Sequence, residues 1–263
     1  MSDLRNAISR GHYARKQLFS SDSLVAWSHG RRFETAVAIA RSFAGRRILD
    51  YGCGDGTFLA LTMMQTEAPA MAVGAELYRH SVEECRRRYR EERRLQFVTV
   101  RELESSTHRD LYEAVFCMEV LEHVVDVDPE LERLESLLAP GGTLVVSVPV
   151  ETGLPLLIKQ AVRRVAGWRR IGHYPGTSSY TYAELAASLT AGPTQHITRP
   201  VFDSGDGPFH DHKGFNWMVM RDRLLRRFVI ERCLASPISC LGARLATQVW
   251  FIAKARGRAR GGG

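Results

Sequence analysis

Residues Arg46–Leu61 read RRILDYGCGDGTFLAL. Two arginines lead into the apolar pair Ile48 and Leu49, as expected of a short buried parallel strand. Asp50 follows, then glycines at 52, 54 and 56, and a helical pattern resumes from Thr57 to Met64. Glycine at alternate positions lets the backbone turn sharply and lets a ligand lie against bare peptide. The N–H groups of the next helix then point at whatever occupies the turn. Asp50 puts a carboxylate at the strand's C-terminal end, where open α/β sheets bind ligands.

A dinucleotide fingerprint, G-x-G-x-x-G counted from Gly52, requires glycine at 57, where the chain has Thr57. That weakens a nicotinamide-dependent dehydrogenase, and the absence of G-K-[ST] removes a phosphate P-loop. The D-x-G-x-G-x-G pattern within LDYGCGDG instead resembles the first motif of class I S-adenosylmethionine (SAM)-dependent methyltransferases. The resemblance implies a loop packed against the methionine part of SAM, a zwitterion rather than a phosphate. It covers residues 46–150 well, including LLAPGGTLVVSVP, and the rest loosely.

The chain has 263 residues, 44% hydrophobic and 25% charged, which suits one α/β domain with additions. Its 36 Lys+Arg against 29 Asp+Glu leave a net charge of +7, favouring anionic partners without choosing among them. Cysteines at 53, 85, 117, 233 and 240 form no C-x-x-C pair, so reduced thiols in a cytoplasmic protein are expected. The N-terminal MSDLRNAISRGHYARKQ has no apolar core of a signal peptide, and no apolar run reaches membrane-spanning length.

Residues 1–30 are expected to form a helical cover, in which Tyr13 and His29 are substrate candidates against a plainer packing role. Apolar residues at 33, 36, 37, 39, 40 and 43 make a helical stripe ending at Gly45. Strands are predicted at Ala70–Ala75, Leu95–Val100, Tyr112–Met118 and Thr143–Val148, with helices at Tyr78–Arg94 and from Asp128 to Pro140. Such alternation defines an α/β fold with a doubly wound, mostly parallel sheet; the resemblance makes it seven-stranded and Rossmann-like, closing on a C-terminal antiparallel hairpin. Strands at Phe228–Leu234 and Ala246–Ala253 supply that hairpin. The methyltransferase domain is expected over 31–255 with an insertion at about 151–215, and residues 256–263 read as a disordered basic tail.

Within the insertion, Leu154–Arg170 is apolar early and basic late, fitting either an amphipathic helix at an anionic membrane surface or a packed cover. His173–Gly176 reads as a turn, Tyr182–Leu189 as a short helix capped by Thr181, and Pro193–Pro208 as loop. Met218–Phe228 reads as a basic helix.

Glu76, 20 residues beyond Gly56 at the end of the second strand, is placed to accept hydrogen bonds from ribose hydroxyls. By the resemblance, Asp50, Gly52, Cys53, Gly54, Gly56, Glu76, Glu102, Cys117 and Glu119 border SAM. Glu119, Glu122 and His123 stand at i, i+3 and i+4, one face of a helical turn, and two carboxylates with an imidazole suit a divalent metal. This E-x-x-E-H resembles ubiquinone-biosynthesis O-methyltransferases and small-RNA 2′-O-methyltransferases, in which a later D-H-[KR]-F-E-W histidine completes the site. His212 in DHKGFNW matches that histidine, and His210 is its nearby substitute. Mg²⁺ or Mn²⁺ held by Glu119, Glu122, His123 and His212 would activate a hydroxyl; without metal, His123 is either a general base or a packing residue and Glu119 only borders SAM.

The function expected is O-methylation of a small-molecule, lipid-linked or saccharide hydroxyl by a protein peripheral to the inner face of a membrane. RNA 2′-O-methylation is the alternative, and a non-catalytic SAM-binding partner protein is the third.

Overall fold

The computed structural model describes residues 2–20, 22–168, 178–195, 197–203, 205, 207–237 and 242–256. Three helices come first: α1 (Ser2–Ser9), α2 (His12–Gln17) and α3 (Ser23–Ala40). Then follow β1 (Arg47–Tyr51), α4 (Thr57–Met63), β2 (Met71–Glu76), α5 (Arg79–Arg88), β3 (Leu95–Thr99) and β4 (Tyr112–Met118). The alternation continues through α6 (Val127–Leu137), β5 (Leu138–Pro149), α7 (Gly153–Trp168) and α8 (Tyr182–Leu189). A short ribbon, β6 (Val201–Asp203) with β7 (Pro208–His210), precedes α9 (Trp217–Arg227), β8 (Phe228–Ser236) and β9 (Gln248–Ala255).

Seven strands form one sheet in the order β3-β2-β1-β4-β5-β9-β8. β1 pairs in parallel with β2 and β4, Asp50 lying opposite Gly74 on one side and Phe116 on the other. β2 and β3 are also parallel. Successive strands run outward in both directions from β1 and β4, so the loop leaving β1 stands at the topological switch point. The C-terminal strands β8 and β9 are antiparallel, as expected.

The chain packs as two compact units. The first contains Met1–Met118, Glu132–Val146 and Ala253–Gly263; the second contains Glu119–Leu131 and Ser147–Ile252. In the first, Ile48, Leu49 and Phe116 are fully buried, and Phe116 is flanked by Phe58 at 4.9 Å and Phe43 at 6.3 Å between ring centroids. In the second, Trp250 and Phe251 are fully buried, with Trp217 stacked on Phe251 at 6.5 Å.

Several boundaries differ from expectation for identifiable reasons. α5 stops at Arg88 rather than Arg94, because the buried Tyr89 turns inward and stacks on Phe97 at 5.6 Å. Glu92 then accepts the Arg94 N–H at 3.2 Å, closing a turn ahead of β3. α6 begins at Val127 rather than Asp128, which lies inside its first turn, where its charge suits the helix N-terminus. Pro140–Gly142 is not a break but part of β5, with Gly141 at φ +74°. The 193–208 stretch expected as loop contains β6, antiparallel to β7. Thr181 caps α8 as predicted, exchanging hydrogen bonds with Glu184 in a capping box. The His173–Gly176 turn, Arg169, Arg170 and the tail from 257 onward lie outside the described residues.

Phe116→Ala is expected to cost about 3–5 kcal/mol by emptying a fully buried aromatic site between Phe58 and Phe43. Urea unfolding of the variant against the parent chain measures the loss.

Candidate functional site

β1 delivers Asp50 and Tyr51 into a loop whose Gly52, Gly54 and Gly56 have φ of +78°, +56° and +74°. The N–H groups of Gly52 and Cys53 donate to the Ala75 carbonyl at 2.9 and 3.0 Å. Glu76 then clamps the loop to the end of β2: one carboxylate oxygen accepts the Gly54 N–H at 2.8 Å and the other the Leu77 N–H at 2.8 Å. A side chain at Gly54 would meet the Tyr13 ring at 3.1 Å, so the loop is bare peptide roofed by one aromatic from α2.

The electrostatics of this loop are decisive for the kind of ligand it suits. Asp50 is 2% exposed, and its Oδ1 has no hydrogen-bond partner. Burial pushes its carboxyl up to about 8, with Glu76 and Asp55 adding to the rise and Arg32 opposing it. Burial also raises Glu76, against the pull of its two N–H donors. Asp50, Asp55 and Glu76 crowd one loop, and a cationic or hydroxyl-donating ligand would offset their mutual repulsion. Asp55, buried, accepts the Ala14 N–H at 3.0 Å and the Thr57 N–H at 3.2 Å, while Arg88 donates to its backbone carbonyl at 3.1 Å. Gly11 passes so close that an added Cβ would lie 2.3 Å from the Asp55 carboxylate.

The remaining expected residues of this region divide. Tyr13 reaches the loop, where burial and the nearby Glu76 raise its hydroxyl. His29 sits one turn before Arg32 on α3, and burial and Arg32 lower it to about 4, keeping it neutral. Glu102 is engaged locally, accepting the Thr99 N–H at 2.6 Å and hydroxyl at 2.9 Å and pairing with Arg86 at 3.5 Å. Cys53 and Cys117 are buried thiols: Cys53 pairs with Cys85 beneath the loop, and Cys117 is fully enclosed in β4.

In the second unit, the E-x-x-E-H segment is a turn, not the helix its spacing suggests. Glu119 takes φ +56°, rare for a side chain of this kind, and His123 N–H closes onto Val120. Glu119 therefore leaves the group: its carboxylate accepts Gln248 Nε2 at 2.6 Å. Glu122, His123 and His212 remain together, one ligand atom of each lying within 4.8 Å of the others. His123 and His212 meet edge to face at 4.9 Å. His123 Nδ1 bonds the His210 carbonyl at 2.8 Å, which fixes the ring and directs Nε2 toward Glu122 at 4.0 Å. Backing an imidazole with a carbonyl in this way is the usual outer support of a metal-binding histidine. Glu122 is fully buried, and His212 Nδ1 is buried without a hydrogen-bond partner, its ring held below the ordinary histidine range by burial. Two imidazoles and a buried carboxylate are a donor set that fits a divalent ion. His210 does not substitute for His212, because its Nδ1 is bonded to Pro200 O at 2.8 Å and its backbone N–H to His123 O at 2.9 Å.

Residues 14–190 match a protein family described as a methyltransferase domain. This chain belongs to that family. The chain is 34% identical over 106 residues to the ubiquinone biosynthesis O-methyltransferase of Psychrobacter arcticus, covering 40% of this chain and 41% of the relative. It is 34% identical over 114 residues to the protein of the same name from Bordetella avium, covering 42% and 46%. The chain thus spans less than half the length of these curated relatives. Among solved structures, N-methyltransferase NodS from Bradyrhizobium japonicum WM9, in complex with S-adenosyl-L-homocysteine (SAH), superposes with a TM-score of 0.55 at 13% identity over 97% of this chain and 98% of that one. An S-adenosylmethionine dependent methyltransferase from Mesorhizobium loti gives 0.53 at 13% identity over 85% and 97%. The fold is that of class I SAM-dependent methyltransferases.

Four residues at these sites carry no signal in the sequence that points to their role. Asp55 lay in plain view between two glycines, yet its tie to Ala14 has no local signal. Arg32, Gln248 and Arg199 act over 18, 129 and 77 residues respectively, separations that no periodicity reports.

Because the Asp50 carboxyl is raised from 3.8 to about 8 on folding, the folded state holds its proton more tightly than the unfolded chain. Its contribution to stability is full below pH 4 and is lost as pH rises through 8. Asp50→Asn should therefore melt near the parent at pH 4 and above it at pH 8 in thermal scans without ligand; equal melting at both pH values would contradict the assigned burial.

Proposed function

We propose that this chain is a SAM-dependent O-methyltransferase whose acceptor is a hydroxyl with an adjacent oxygen, on a small or lipid-linked molecule. The observation that carries the reading is a buried acid beneath bare peptide, Asp50 under Gly52–Gly56, with Asp55 and Glu76 beside it. When bound, SAM supplies a methyl group already activated on a sulfonium. Asp50 and the glycine loop bind its amino-acid end, Glu76 takes the ribose hydroxyls on the lone pairs its N–H donors leave, and Tyr13 shields the loop from water. Methyl transfer needs little beyond alignment of donor and acceptor, so holding the acceptor oxygen and removing its proton are the protein's remaining tasks.

Glu122, His123 and His212 serve the acceptor side. A divalent ion in their grasp supplies Lewis acidity that lowers the pKa of an acceptor hydroxyl. Two imidazoles and one carboxylate favour Mn²⁺, Fe²⁺ or Zn²⁺ over Mg²⁺, which prefers an all-oxygen shell. The similarity to ubiquinone biosynthesis O-methyltransferases supports oxygen as the acceptor atom.

Exposed apolar residues at the start of α7 support a lipid-linked acceptor. Leu154, Leu157 and Ile158 are 53%, 38% and 55% exposed at i, i+3 and i+4. Arginines at 163, 164, 169 and 170 follow in the sequence, the composition of a segment that lies on an anionic bilayer. No described helix is long and apolar enough to cross a membrane. The proposed location is the inner face of a cytoplasmic membrane.

Conversion of SAM to SAH, followed with a panel of catechols, lipid-tailed diphenols and a short RNA bearing a 3′-terminal diol, tests the reaction. Turnover with a diphenol that stops in excess chelator and returns with Mn²⁺ is expected. Full activity in chelator assigns His123 Nε2 as the proton acceptor instead, and turnover with RNA alone replaces the acceptor proposed here. In sedimentation with anionic vesicles, the triple change Leu154→Ser, Leu157→Ser and Ile158→Ser should reduce the bound fraction severalfold; unaltered binding would leave α7 as a cover.

A further inference from the structure

We infer that Arg199 is the positioning residue of the Glu122–His123–His212 cluster, joining the two chain segments that bring its ligands together. The inference rests on the metal-assisted reading above, and its test separates the two.

Glu122 and His123 lie in a turn after β4; His212 lies in a loop after β7. Neither segment is helix or strand, so neither is held by a regular hydrogen-bond ladder. Arg199 stands in irregular chain between α8 and β6 and is half-buried. Its Nη2 donates to the carbonyls of Glu122 and Asp211, the latter at 2.8 Å, and its Nε donates to the carbonyl of Lys213 at 3.3 Å. One guanidinium therefore grips a ligand residue on one side and both neighbours of a ligand residue on the other. The Phe215 ring lies 5.3 Å from its central carbon and backs the plane. Asp211 braces the same loop, one oxygen accepting the Ser178 N–H at 2.6 Å and the other the Lys213 N–H at 2.9 Å.

The chemistry calls for arginine in particular. Three carbonyls in different directions need a planar fork with several N–H groups, which a lysine ammonium on a flexible stem does not reproduce. Burial lowers the guanidinium to about 10, with Glu122 and Asp211 opposing that fall, so it stays charged at neutral pH. A positive charge tolerated this near the ligand set is balanced by the Glu122 and Asp211 carboxylates. The cost of burying it is met by contacts that all serve to align the cluster.

Co²⁺ is the probe, because its visible absorption reports the ligand set without turnover. The parent chain, His212→Asn, Arg199→Lys and Arg199→Met are titrated with Co²⁺ and, separately, with SAH. The parent is expected to bind one Co²⁺ with a visible band that His212→Asn loses. Both Arg199 variants should bind Co²⁺ about 10- to 100-fold more weakly, the range of outer-support changes at metal sites, with SAH affinity held within about twofold. Arg199 variants that bind Co²⁺ as the parent does overturn the positioning role and leave the metal reading intact. An equal fall in SAH affinity shows general loss of structure and also overturns it. A parent chain that binds no Co²⁺, or binds it as His212→Asn does, overturns the metal reading and the inference with it.

Discussion

A carboxylate sealed from water needs a proton or a cation, and Asp50 is sealed. That requirement organises the first unit. β1 carries Asp50 to the switch point of the sheet, the glycines remove every side chain that would cover it from above, and Glu76 fixes their backbone by accepting the Gly54 N–H. Asp55 and Glu76 add negative potential where a phosphate-binding loop would concentrate N–H donors and a lysine. The setting of the glycine-rich turn is thus made by three acids as much as by the glycines.

The second unit solves a different problem, the convergence of groups far apart in the chain. Glu122 and His123 come from a tight turn that depends on the left-handed backbone of Glu119. His212 comes from a loop with no secondary structure of its own. His210 assists by pairing with His123 through ring and backbone at once. Polar contacts to carbonyls thus replace the helix that the residue spacing suggests.

What the sequence disclosed follows from the range of the forces involved. Strand and helix periodicity placed β4 and α8 to the residue and the glycine loop without error, because those signals are local and repetitive. Thr181 was legible as a cap because its partner Glu184 is three residues away. E-x-x-E-H misled because i, i+3, i+4 spacing is shared by a helix and by a tight turn, and nothing local announces a left-handed Glu119. Tyr13 reads as a substrate candidate or a packing residue, and its place over Gly54, beside the backbone bond from Ala14 to Asp55, has no local signal. Arg199 carries no motif at all, since its role is to hold carbonyls, which every residue possesses.

That bond between Ala14 and Asp55 bears on how the protein is handled. Without α2, Asp55 loses a donor and Gly54 loses its aromatic roof. Trimming the N-terminus to aid crystallisation, or splicing the domain into a fusion at α3, would strip a wall from the glycine loop without touching any strand of the sheet.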